Sequence, residues 1–257
     1  MKQTKWTKKR SEGLPRWAMG LLMDLLMGLC IGLIVVALGG LVIYVLLTGG
    51  ARKEFDELAQ RVEKETVGLP AGQTPKVYAD LKAENPDFVG WIKIEGTSVN
   101  YPVVQTKAEP QYYLRRSFEG SYSIAGTPFL DAQCDMEKGI GLIIYGHNMK
   151  NGTMFGELKN YLDEEFRLAH PVIEFQTADG VEQYTVFAVA AVQKTDAWYS
   201  FIDASGSEDF TEQTAAILQK SLYDTGAAPV FGQQIITLST CYGSSKDGRL
   251  LVIGVKQ

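Results

Sequence analysis

Leu25–Leu47 is a run of 23 residues without a single charge. A helix of that length, rising about 1.5 Å per residue, matches the roughly 30 Å hydrocarbon core of a bilayer. The run therefore separates a part of the chain suited to lipid from a part suited to water. The residues before it are basic: Lys2, Lys5, Lys8, Lys9, Arg10 and Arg16 stand against Glu12 and Asp24. Basic flanks stay on the cytoplasmic side. Spacing and charge thus predict a single-pass anchor with its N-terminus in the cytoplasm and the rest of the chain outside the cell membrane. Arg52 and Lys53 weaken that bias without reversing it. The competing reading is a cleaved signal peptide, whose apolar region spans about 7–15 residues before a small-x-small cleavage site. This run is longer, and Gly49-Gly50-Ala51 is a faint cleavage signal.

Four regions are expected: a basic segment at 1–24, the anchor at 25–47, an outer stalk at 48–76 and a folded domain at 77–257. The chain as a whole carries −5, residues 1–24 carry +4 and residues 25–50 none, which leaves −9 on residues 51–257. An acidic body argues against nucleic acid, which calls for clustered Lys and Arg.

Within 51–67, Phe55, Leu58, Arg61, Val62 and Glu65 recur at helical spacing, and Gly68-Leu69-Pro70-Ala71-Gly72 breaks the pattern. A second short helix is predicted over Val77–Asn85, stopped by Pro86. Strands dominate after that. Candidates are Gly90–Ile94, Val99–Val104, Thr127–Asp131, Leu142–Gly146, Val172–Gln176, Glu182–Gln193, Gln234–Thr240 and Arg249–Val255. Each is short, β-branched or aromatic, and bounded by turn residues. Helical insertions are predicted at Met154–Leu162 and Asp209–Leu222. Eight strands with few helices favour a mainly β fold, a closed or nearly closed antiparallel barrel.

The chemistry centres on Cys241. Along Ile235-Ile236-Thr237-Leu238-Ser239-Thr240-Cys241, alternation puts Ile236 and Leu238 on one face and Thr237, Ser239 and Cys241 on the other. Cys241 thus ends a strand on its polar face. Cys30 falls in the anchor as a small apolar residue. A bridge from Cys134 to Cys241 is the alternative to a free thiol, and a free thiol outside the cell points to chemistry. Seven residues containing Gly243 and Gly248 return the chain to Arg249, so a hairpin would set Arg249 beside Cys241. A cation beside a thiol favours the thiolate and can steady an oxyanion. His147 follows the apolar strand Leu142-Ile143-Ile144-Tyr145 at the junction of scaffold and loop. An imidazole there can pair with a thiolate and hand a proton to a leaving amine. His170, before Pro171, lacks such a setting and is assigned a structural or surface role. Asp247, before Gly248, reads as turn chemistry.

Tyr145-Gly146-His147-Asn148, Thr237-Leu238-Ser239-Thr240-Cys241 and an Arg eight residues on resemble the sortase signature. Further stretches resemble class B members: Asn85-Pro86-Asp87-Phe88-Val89-Gly90-Trp91-Ile92, Tyr101-Pro102-Val103-Val104-Gln105, Tyr112-Tyr113-Leu114, Phe129-Leu130-Asp131 and Asn151-Gly152-Thr153-Met154-Phe155. So does the helical insertion before the nucleophile strand. The resemblance covers roughly residues 78–257. It implies an eight-stranded sortase-type barrel with N-terminal helices, Cys241 as nucleophile, His147 as proton donor, and Arg249 with the Tyr242 backbone N–H as oxyanion holders. It also implies Leu114, Thr195 and Tyr199 as groove positions; the strand pattern adds Ser239. The implied partners are secreted proteins bearing a C-terminal sorting signal of Asn-Pro-x-Thr type and an amine on the peptidoglycan precursor. Where class B members often carry an acidic residue shortly after the cysteine, this chain has Tyr242-Gly243-Ser244-Ser245.

No metal-ligand spacing occurs, and no cofactor is expected, because the thioester conserves the energy of the cut bond. Pilin polymerisation by the same chemistry is an alternative, since the acceptor is not written in these motifs. A papain-like hydrolase fits less well, because its cysteine opens a helix. A non-enzymatic anchored surface protein would make the Cys–His–Arg set incidental. A chain truncated to begin at Ala51 is expected to fold and to cleave a sorting peptide in solution. Loss of its β-type circular dichroism would show that the anchor belongs to the folded domain.

Overall fold

The computed structural model describes residues 16–66 and 75–257. The basic segment up to residue 15 and the break at Gly68–Gly72 lie outside the described residues. The chain forms two compact units, Met1–Leu46 and Leu47–Gln257.

Helix α1 runs over Arg16–Thr66. In the first unit its Met19–Val45 stretch has a mean hydropathy of 2.8 and buries nothing. Leu25, Leu29, Ile34 and Val42 are all exposed. A helix apolar on every side and uncovered by protein suits lipid rather than water.

In the second unit the same helix presents Phe55, Leu58 and Val62 to the core, where all three are buried. Phe55 meets Tyr101 edge-on, ring centroids 5.5 Å apart. Helix α2 (Lys76–Glu84) buries Val77, Tyr78 and Leu81. Arg61 donates two hydrogen bonds, of 3.0 and 2.6 Å, to the Glu84 carboxylate. Within the segment expected as an outer stalk, Phe55, Leu58 and Val62 thus pack on the domain, because their apolar stripe needs cover.

The strands are β1 (Phe88–Lys93), β2 (Asn100–Val104), β3 (Phe129–Leu130), β4 (Gly141–Tyr145), β5 (Val172–Thr177), β6 (Gly180–Gln193), β7 (Ile235–Cys241) and β8 (Gly248–Lys256). They close a barrel in the order β1-β2-β3-β4-β7-β8-β6-β5. Eight strands and closure match expectation; the all-antiparallel pairing does not. β2–β3 and β4–β7 are parallel. The chain leaves β4, builds β5 and β6 across the barrel, and returns to enter β7 from the same end, as a crossover connection allows.

Two helical elements depart from the sequence expectation. Met154–Leu162 becomes a 3-10 turn over Gly156–Leu162. Helix α3 (Glu164–Ala169), capped by the Asp163 side chain accepting from the Glu165 N–H, has no buried residue and hence no apolar stripe to reveal it. Helix α4 (Ser207–Lys220) sits close to its predicted place and buries Phe210, Thr214 and Ile217.

The core has two parts. One fills the barrel, with Ile236, Leu238, Leu250 and Val252 among its residues. The other lies outside the wall, where the β6–β7 connection brings Trp198, Phe201, Phe210 and Ile217 over Ile235, Leu251 and Ile253. β7 is thus covered on both faces, and Thr237, 2% exposed, accepts a 3.0 Å hydrogen bond from Trp198 Nε1. Thr237→Val would strand that buried N–H at a cost of about 1–3 kcal/mol, whereas Thr237→Ser should cost less; urea unfolding of the two variants checks the difference.

Candidate active site

The β4–β7 register pairs Gly141 with Ile235 and Tyr145 with Ser239. Continued by two residues, that register sets His147 level with Cys241. On the other side of β7, Cys241 pairs with Arg249 across the antiparallel ladder. With neighbouring strands about 4.8 Å apart, the three residues stand in a row on one rim of the barrel.

Local bonds fix this rim. Gly146 N–H donates to the Ser239 carbonyl (3.1 Å), and Thr240 Oγ1 donates to the Gly146 carbonyl (2.8 Å). Asn148 Nδ2 donates to the Cys241 carbonyl (2.7 Å). Gly146 has a packing reason: a Cβ there would lie 2.6 Å from the Phe155 ring. Gly248 has another, since its Cβ would lie 2.2 Å from the Tyr242 carbonyl oxygen.

Cys241 is free and exposed. His147 is half-buried, and its Nε2 lies 2.8 Å from the Leu114 carbonyl. A carbonyl only accepts, so Nε2 carries the proton and Nδ1 is left to exchange protons. Burial pulls the imidazole below its ordinary proton affinity; the Leu114 bond opposes this and the nearby Arg115 charge adds to it. No hydrogen bond joins His147 to Cys241 among the described residues. Arg249 Nη1 donates to the carbonyls of Lys246 (3.0 Å) and Gly248 (2.8 Å), which leaves Nε and Nη2 for a ligand.

A groove of about 680 Å³ opens along the rim. His147, Cys241 and Arg249 line it, as do Leu114, Thr195, Tyr199 and Ser239. Ser239 is 1% exposed, and its hydroxyl lies 2.7 Å from Tyr199 Oη. The face of β7 read as polar and open is therefore roofed, and Cys241 alone emerges from it. Tyr242 does not line the groove. Its N–H donates to the Gly248 carbonyl (3.0 Å), so the expected oxyanion donor is already engaged in the hairpin.

Sequence reasoning missed the groove wall formed by Tyr145 and Asp131. Tyr145 Oη donates to Asp131 (2.9 Å), and the Tyr145 ring stacks on Tyr199 with centroids 6.1 Å apart. The Phe129-Leu130-Asp131 and Tyr145-Gly146 strings were visible, but nothing in them announces a cross-strand pair. Asn148 was also visible as the neighbour of His147, without a sign of its bond to Cys241. His170 holds the Glu95 carbonyl through Nδ1 (2.8 Å) and packs on Phe166 with ring centroids 4.4 Å apart, a structural role. Cys134 is free and buried. Its sulfur accepts the Ile143 N–H at 3.3 Å, and burial pushes its thiol up to about 12.

A family model described as the sortase domain matches residues 92–257. Sortase B of Listeria monocytogenes is 35% identical over 188 residues, covering 71% of this chain and 75% of that one. Sortase B of Staphylococcus aureus is 33% identical over 165 residues, covering 64% and 67%. The solved Staphylococcus aureus sortase B–substrate complex superposes with a TM-score of 0.75 at 28% identity, covering 82% of this chain and 98% of that one. Sortase B from B. anthracis in complex with AAEK1 gives 0.72 at 33% identity, covering 82% and 98%. A rim carrying cysteine, histidine and arginine on a closed eight-stranded barrel, joined to these likenesses, places the chain in the sortase family of cysteine transpeptidases, as a class B sortase.

Proposed function

We propose that this sortase cuts a C-terminal sorting signal of Asn-Pro-x-Thr type in secreted proteins and joins the Thr carbonyl to an amine of the peptidoglycan precursor. The observation that carries this reading is the row His147–Cys241–Arg249 on one groove, with an exposed thiol between a half-buried imidazole and a guanidinium. The Cys241 thiolate attacks the Thr carbonyl carbon. The C–N bond breaks, and the departing amine takes a proton from His147 Nδ1. The acyl group stays on sulfur as a thioester. An incoming amine then attacks that carbon, gives its proton to Nδ1, and the C–S bond breaks to restore the thiolate. Arg249 holds the oxyanion in both steps through Nε and Nη2. The Tyr242 N–H joins it only if its bond to Gly248 opens. Leu114, Thr195, Tyr199 and Ser239 form the wall for the acyl side of the signal. The apolar Met19–Val45 helix serves as the membrane anchor, with the catalytic body outside the cell, where signal and lipid-linked acceptor meet. No cofactor is needed, because each step exchanges one acyl bond for another.

Incubation with a fluorogenic sorting peptide and an amine, followed by mass spectrometry, tests the reading through an acyl-enzyme on Cys241 and an amide-linked product. Cys241→Ala should abolish turnover, and Cys134→Ala should keep most of it. Arg249→Lys should lose about a hundred- to thousand-fold in kcat/KM while folded, since an oxyanion donor is worth about 3–4 kcal/mol and an ammonium cannot replace the planar fork. A folded Arg249→Lys variant with native kcat/KM would reduce its role to simple charge.

The His147 environment sets a pH dependence of stability. Burial lowers its proton affinity in the folded state, so the unfolded chain binds that proton more readily below about pH 6.5. Stability should fall as the pH drops through that value and level off below the folded pKa. His147→Gln should flatten this slope in urea melts taken between pH 5 and 8.

A further inference from the structure

Six arginines lie in residues 51–257: Arg52, Arg61, Arg115, Arg116, Arg167 and Arg249. Arg52, Arg61 and Arg167 sit in ion pairs with Asp56, Glu84 and Glu164. The other three have no carboxylate partner among the described residues. Arg249 lines the groove. Arg115 and Arg116 line a cleft of about 340 Å³ beside it. The two cavities share Gln111 and Leu114, so the cleft adjoins the groove at the residue whose carbonyl meets His147.

The cleft is built for a negative group. Arg115 is exposed, and although its carbonyl accepts from the Ser123 N–H (3.0 Å), its guanidinium makes no hydrogen bond or ion pair among the described residues. Arg116 Cζ lies over the Tyr112 ring, 4.4 Å from its centroid, and one nitrogen is tied to the Gly120 carbonyl (2.9 Å). Its guanidinium is therefore held in place with donors to spare. The exposed Tyr122 closes the far wall. Two adjacent unpaired guanidiniums on a body of net −9 concentrate positive potential where the rest of the surface repels anions.

The position says which reactant would meet it. Leu114, between the cleft and the groove, gives its carbonyl to His147 Nε2. The amine that attacks the thioester must come to the His147 side to deliver its proton. Arg115 and Arg116 follow Leu114 directly in the chain and line the adjoining cleft, so they stand on the side from which an anionic group carried by that amine would approach. We infer that this cleft is the acceptor subsite and binds a carboxylate or phosphate carried by the incoming amine. The inference rests on the transpeptidation reading above.

The test uses the full-length protein in detergent, a sorting peptide, and three acceptors with the same glycyl amine: triglycine amide, triglycine, and diglycyl-aminoethyl phosphate. The transfer-to-hydrolysis ratio is measured for wild type, Arg115→Ala and Arg115→Ala/Arg116→Ala, with circular dichroism on each. Wild type should favour an anionic acceptor over the amide by about three- to fivefold, the worth of an exposed charge pair of up to about 1 kcal/mol, and added salt should erode that preference. Comparing triglycine with the phosphate identifies which anion the cleft takes. The double variant should lose the preference, and Arg115→Ala, whose side chain makes no hydrogen bond or ion pair among the described residues, should lose part of it. Because the Arg115 charge also acts on His147, the readout is the ratio between acceptors within each variant, which a common change in cleavage rate does not move. Equal use of all three acceptors by wild type, or an undiminished preference in both variants, overturns the subsite and leaves transpeptidation standing. Failure of wild type to form any acyl-enzyme overturns the transpeptidation reading and the subsite with it.

Discussion

The parallel pairing of β4 with β7 is the constraint on which the site depends. An antiparallel neighbour would have sent the end of β4 to the opposite rim and carried His147 away from Cys241. Parallel register brings both C-terminal ends to one edge, and the antiparallel β7–β8 hairpin adds Arg249 on the third strand. His147, distant in sequence, joins the hairpin pair Cys241 and Arg249 through backbone ladders, without a hydrogen bond between His147 and Cys241 among the described residues. Such a site is positioned by the scaffold, and its reacting atoms stay free for substrate.

The rim bonds support this arrangement. Thr240 and Asn148 cross between the β4 and β7 ends in opposite senses, one giving its hydroxyl proton to Gly146 and the other its amide proton to the Cys241 carbonyl. Thr240 is buried, where an unmet hydroxyl would cost about 1–3 kcal/mol; the Asn148 bond lies at the exposed end of the strand. The Thr-Leu-Ser-Thr-Cys string thus has mostly structural duties. Thr237 satisfies Trp198, Ser239 meets Tyr199, Thr240 ties the neighbouring strand, and only the cysteine is exposed for chemistry.

Much of the fold was legible because strand patterning is local. The eight strands appear within a few residues of their predicted bounds, and α4 was visible from its apolar stripe. Pairing direction was not legible, since β4 reads the same whether its partner runs with it or against it. Helix α3 stayed hidden because none of its residues is fully buried and only Phe166 packs against the core. The groove was half legible: Cys241, His147 and Arg249 stand at strand ends whatever the topology, but the Tyr145–Asp131 pair and the engaged Tyr242 N–H are products of three-dimensional closure. The face of β7 bearing Thr237 and Ser239 reads as polar and open in the sequence, yet it is covered by the second core.

That second core limits how the barrel could be altered. Ile235, Leu251 and Ile253 are apolar on the outer face because Trp198, Phe201, Phe210 and Ile217 lie over them. Deleting the β6–β7 connection would leave a sticky stripe along the wall and remove the roof over Ser239 at the same stroke. A shorter version of this enzyme would have to repattern alternate residues of two strands to polar before it could stay in solution. The insertion and the strands beneath it are therefore a single heritable unit, exchanged together between chains or not at all.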